Sequence, residues 1–196
     1  MEPDTLTRAL AAIDAAHAAD ARRADGRPAE LVYAERVSGW AERLAGGAPP
    51  PALRLAARAQ HLERWAIPRA DYPLGRGGYF RWRKAVQRRQ GTRATEILRA
   101  AGCDDATVAR VAALVAKATP ADDPEGGLLE DAACLVFLET ELAGFAHAHR
   151  DYTEQKMVDI LRKTWARMSP RGRALARTLP LAPELGALLA SATAET

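Results

Sequence analysis

The chain has 196 residues, 48% hydrophobic and 27% charged, which suits one folded domain (1–196) and excludes a disordered chain. Its two cysteines, Cys103 and Cys134, lie far apart without a CxxC spacing, so neither a disulfide framework nor a zinc knuckle is expected. No apolar run approaches the roughly 20 residues of a membrane span. The start, Met1-Glu2-Pro3-Asp4, also lacks the basic-then-apolar layout of a secretory signal, so a cytoplasmic location away from membranes is expected.

Net charge is +3, but it is unevenly spread. Between Tyr72 and Thr95 stand Arg76, Arg81, Arg83, Lys84, Arg88, Arg89 and Arg93 with no acid, so this segment carries +7 and the rest −4. Such asymmetry suits an anionic partner; a solvated helix face paired with acids elsewhere is the alternative.

Strand signals are scarce and alanine and leucine dominate, so the expected class is all-α. A first helix is predicted after Asp4 as N-cap, with Leu6, Leu10 and Ile13 on one face, ending before Gly26. A second covers about 29–45, with Tyr33, Val37, Trp40 and Leu44 as its stripe; Gly46-Gly47 and three prolines follow. A third, about 52–65, starts small and apolar but ends in Gln60, His61, Glu63 and Arg64. Residues 69–78 read as a loop, 79–90 as a basic helix broken at Gly91, and 92–101 as another helix. Asp104 or Asp105 caps the next, whose stripe is Val108, Val111, Leu114 and Val115. A helix over about 128–145 offers no polar face from Ala132 to Leu138 and is expected to be buried. Asp151-Tyr152-Thr153-Glu154 reads as a capping box, Ser169-Pro170 as an N-cap followed by proline, and a short helix begins near Glu184.

Three features could carry chemistry. His61 shares a helix face with Ala57, Trp65 and Arg64, which makes it at least partly buried. It is either a satisfied core histidine or the centre of a site, given Gln60, Glu63, Arg64 and Arg69 nearby. Glu130 and Asp131 stand at an expected helix start, where the macrodipole stabilises one carboxylate and the other must lean inward to a metal, a histidine or an arginine. In Arg76-Gly77-Gly78-Tyr79-Phe80-Arg81-Trp82-Arg83-Lys84, arginines alternate with aromatics as phosphate contacts and base stacking require. Arg81 can share a face with Lys84 or Arg88, while Arg83 faces elsewhere; alternatively the aromatics are core and the arginines ion-paired. Gly75-Arg76-Gly77-Gly78 lacks the Lys-Ser/Thr of a phosphate loop, and His147 and His149 lie two apart rather than at metal-ligand spacing.

The segments Ala59-Gln60-His61-Leu62-Glu63-Arg64-Trp65, Ile67-Pro68-Arg69, Tyr72-Pro73, Arg76 to Arg83, Leu129 to Glu139 and Lys163-Thr164-Trp165 resemble domain-of-unknown-function family 4202, over a core of about 33–168. A deeper similarity is to the HD superfamily of helical metal-dependent phosphohydrolases. It sets Gln60 and His61 at the family's His-Asp pair, Asp131 at its distant aspartate and Glu35 at its first histidine; only Asp131 keeps the family's residue type. The resemblance implies an HD-domain-like helical bundle holding a divalent ion (manganese, iron, zinc or magnesium) through Glu35, His61 and Asp131. In that reading the metal-bound water hydrolyses a phosphoester, with His61, Asp131 and Arg64 catalytic. Gln60, Arg69, Arg76, Tyr79, Arg83, Lys117 and Lys163 would contact substrate. The alternative is a non-catalytic binder of an anionic ligand, nucleotide or RNA through residues 76–93.

Overall fold

The computed structural model describes residues 1–194 and is helical apart from one two-residue hairpin. It divides into two compact units, 1–126 and 127–196, with the boundary inside the first turn of helix α6.

In the first unit, α1 (Pro3–Ala18) opens with a proline in its first turn and buries Ala9, Ile13 and His17. The hairpin pairs β1 (Arg23–Ala24) with β2 (Arg27–Pro28) around Asp25 and Gly26, both at positive φ. Helix α2 (Ala29–Ala45) buries Val37, Trp40 and Leu44 of the stripe expected of it while Tyr33 stays half-buried, and Gly46 ends it in the left-handed conformation. Helix α3 (Pro51–Arg58) is shorter than its sequence pattern: after Arg58 the chain turns tightly through residues 59–63 and a single 3₁₀ turn, Arg64–Ala66. Its small residues Ala56 and Ala57, and Ala59 just beyond, are fully buried.

Helix α4 (Gly75–Ala100) is one continuous 26-residue helix; Gly91 does not break it. Gly91 is instead where α5 (Asp105–Val115) crosses, since a Cβ there would stand 3.0 Å from that of Ala116 and 3.2 Å from the Ala112 carbonyl. Asp104 caps α5, accepting from the Thr107 amide at 2.8 Å.

In the second unit, α6 (Pro124–Val136) passes through a wide π turn (Phe137–Glu141) into α7 (Leu142–Ala148). Cys134, Leu135, Val136, Leu138 and Leu142 are buried, as the apolar run requires. Thr153, not Asp151, caps α8 (Glu154–Ala166), which packs on α10 (Pro183–Thr193). Ser169 caps α9 (Pro170–Ala176). Among the described residues no helix is long and apolar enough to cross a membrane.

Candidate functional site

A polar centre forms where the hairpin, the start of α2 and the turn after α3 meet. Asp20, almost fully buried, accepts from the Arg22 backbone amide (3.0 Å) and from the Glu30 amide (3.1 Å), so it caps α2 from outside the helix. The Arg22 guanidinium joins Asp20 (3.1 Å) to Glu30 (2.5 Å). The second oxygen of Glu30 lies 3.2 Å from Nδ1 of His61, whose ring is stacked on Tyr33 at 3.9 Å. Nε2 of His61 lies 2.7 Å from Arg64 Nη1. A guanidinium can only donate, so Nε2 accepts and the ring proton sits on Nδ1, donating to Glu30.

Electrostatics agree with that assignment. Burial, the largest influence, pushes His61 down, and Arg64 and Lys117 add to it; Glu30 opposes them, leaving a value of about 4. A quarter of the side chain still reaches solvent. Burial pushes the Glu30 carboxyl up, but hydrogen bonds from His61 and Arg22 outweigh it and leave the carboxyl below its ordinary range. Asp20 is lowered in the same way: burial opposes, and bonds from Arg22 and the Glu30 amide prevail. The backbone is strained here, with His61, Glu63 and Lys117 all in the left-handed region (φ 61°, 48° and 52°) although none is glycine.

The residues assigned to a metal are each held by protein. Both oxygens of Glu35 accept from Arg27 (2.8 and 2.7 Å), and the carboxylate on His61 is Glu30. Asp131, 3% exposed, accepts from the amide (2.8 Å) and hydroxyl (2.5 Å) of Ser169. It stands against Gly172, where a Cβ would come within 2.5 Å of the carboxylate. Asp131 thus anchors the start of α9. Glu130 does not share that role; it pairs with Arg167 at 2.8 Å. Among the described residues no three His, Cys, Asp or Glu side chains are gathered as a metal centre requires. Of the three residues that the HD resemblance assigns to a metal, Glu35 and His61 belong to the first unit and Asp131 to the second.

The other candidates divide. Gln60 is buried and donates to the Ala56 carbonyl. Arg69 holds the loop carbonyls of Tyr72 and Pro73. Lys163 is exposed on α8 in the second unit. Trp82 is core, its indole N–H donating to Ile67, and Arg64 lies 4.9 Å above its ring. Tyr79 and Phe80, by contrast, are 41% and 47% exposed.

The cations of α4 separate by face. Arg89 and Arg93 both bind Glu63, at 2.9 and 2.8 Å. Arg81, Arg83, Lys84 and Arg88 have no acidic partner among the described residues, and Arg76 lies 5.5 Å from the Phe80 ring instead. Lys84 and Arg88 line a groove of about 590 Å³ between α4 and α5, with Gln87, Thr92 and Thr95 beside them and Lys117 on its far side. No acidic residue lines it, and its floor is alanine and Gly91.

Sequence reasoning missed Glu30, Asp20 and Arg22; the Asp25-Gly26 pair, a short-range hairpin signal, could have drawn attention to them. No curated protein and no solved structure matches the chain. One family model does, over residues 7–189, and the chain therefore belongs to the domain of unknown function family DUF4202.

Proposed function

We propose that the first unit binds a phosphate-bearing anion in the groove between α4 and α5, with Lys84, Arg88 and Lys117 as its cations. The observation that carries this reading is a groove of about 590 Å³ lined by three cations and no carboxylate. Among the described residues Lys84 and Arg88 have no acidic partner to give up, so a ligand's phosphate gains their charge without breaking an ion pair there. Thr92, Thr95 and Gln87 add neutral polar groups beside the cations. The metal-dependent phosphohydrolase alternative draws no comparable support: the carboxylates it needs are bound to Arg27 and to Ser169.

Calorimetric titration with pyrophosphate tests the proposal. Wild type should bind, a Lys84→Glu/Arg88→Glu double variant should lose roughly tenfold or more in affinity, and Arg89→Ala should bind as wild type does. Equal binding by wild type and the double variant would refute it.

A further inference from the structure

The groove is one end of a longer feature. Successive residues of a helix are about 100° apart, so Arg76, Phe80, Arg81, Lys84, Gln87 and Arg88 fall within an arc of about 140° on one side of α4. Those six residues span about 18 Å of helix, ending at the groove between α4 and α5. Every charged residue on the strip is a cation, and none of them has an acidic partner among the described residues. The paired cations, Arg89 and Arg93, occupy the opposite side with Glu63. Phe80, 47% exposed, lies in the strip itself, and exposed Tyr79 is beside it, the two rings 5.9 Å apart edge to face.

A small anion needs the cations only. Exposed aromatic rings in line with unpaired cations suit a ligand that alternates charge with flat apolar faces. We infer that the strip from Arg76 to Arg88 is a track for single-stranded nucleic acid: phosphates run along Arg81, Lys84 and Arg88 into the groove, and a base stacks on Phe80. The inference rests on the groove's binding a phosphate, and adds the class of ligand. A duplex suits the strip less well, because its bases are already stacked on one another and cannot cover Phe80. An anionic lipid surface would also meet cations beside aromatics, but has no use for a polar groove between helices at the end of the strip.

The test is fluorescence anisotropy with a labelled twelve-nucleotide oligo-uridylate on the full chain, beside pyrophosphate calorimetry. Oligo-uridylate is expected to bind more tightly than pyrophosphate. Its affinity should fall with salt on a log–log slope of about −2, as three phosphate contacts give. Phe80→Ala, at an exposed position, should weaken the oligonucleotide roughly tenfold while leaving the salt slope and pyrophosphate binding unchanged. Arg81→Ala should reduce the slope. If pyrophosphate binds but oligo-uridylate binds no better, or Phe80→Ala changes nothing, the nucleic-acid inference fails and the groove reading stands. If neither ligand binds, both fall. Tighter binding of a twelve-base-pair duplex, or sedimentation with phosphatidylglycerol vesicles in place of oligonucleotide binding, would also overturn the inference.

Discussion

Arg64 donates to Nε2 of His61 at 2.7 Å, and that single contact decides the state of the polar centre. With its lone pair engaged by a cation, the imidazole stays neutral and directs Nδ1–H to Glu30. Two buried carboxylates, Asp20 and Glu30, are then balanced by the guanidiniums of Arg22 and Arg64, the second acting through the neutral ring. The centre binds together the segment around the hairpin, the start of α2 and the left-handed turn after α3.

The neutral histidine gives stability a definite pH dependence. His61 has a folded value of about 4, below the ordinary 6.5 it regains on unfolding, so between these limits the unfolded chain binds more protons. Stability should therefore decline as pH falls from 6.5 towards 4, by on the order of 2–3 kcal/mol from this residue. Buried His17, also lowered by burial, adds in the same direction. Below that window the lowered Asp20 and Glu30 continue the loss as they become protonated. Urea denaturation at pH 7.0 and 5.0 measures the decline, and His61→Gln should flatten it.

Glu30 and Glu35 should differ sharply. Glu30→Ala leaves the Nδ1–H of His61 without its acceptor and takes from Arg22 one of its two buried carboxylates, and should cost about 3 kcal/mol. Glu35→Ala removes a pair whose carboxylate is one-third exposed and whose guanidinium is half exposed, and should cost less than about 1 kcal/mol. Equal effects in chemical denaturation would contradict the assignment of Glu30 as His61's carboxylate.

Asp131 and Gly172 should behave as one unit. A methyl group at 172 meets the Asp131 carboxylate at 2.5 Å, so Gly172→Ala should destabilise by about 2 kcal/mol. Asp131→Asn weakens the charge-assisted bonds from Ser169 and should cost a comparable amount. Because both act on one contact, the double variant should cost less than the two single changes together. Thermal melts of the three variants check this.

Much of the fold was readable in the chain. Helix stripes such as Val37-Trp40-Leu44 and caps such as Asp104 and Ser169 act through near neighbours, so their spacing reveals them. Gly91 misled because a glycine costs a helix only about 1 kcal/mol, and here it lets α5 approach. The site was less legible. His61, Arg64 and the basic segment stand out by type, but His61 is completed by Glu30, 31 residues away across α2 and α3, and it sits in a turn with two non-glycine residues, His61 and Glu63, at positive φ. Asp131 was expected at a helix start; α6 begins at Pro124, and the partner that explains the carboxylate, Ser169, lies 38 residues downstream. Nor does periodicity say which α4 cations meet an acid, since Glu63 reaches Arg89 and Arg93 from another element.

The claim that the unpaired face of α4 and its groove form an anion site is tested most directly by residue-resolved amide NMR of the ¹⁵N-labelled chain during titration with pyrophosphate. Saturable shifts are expected at Lys84, Arg88, Gly91, Thr92 and Lys117, all lost in the Lys84→Glu/Arg88→Glu variant. Shifts confined to Asp131, Ser169 and Gly172, or no saturable shift at all, would contradict it.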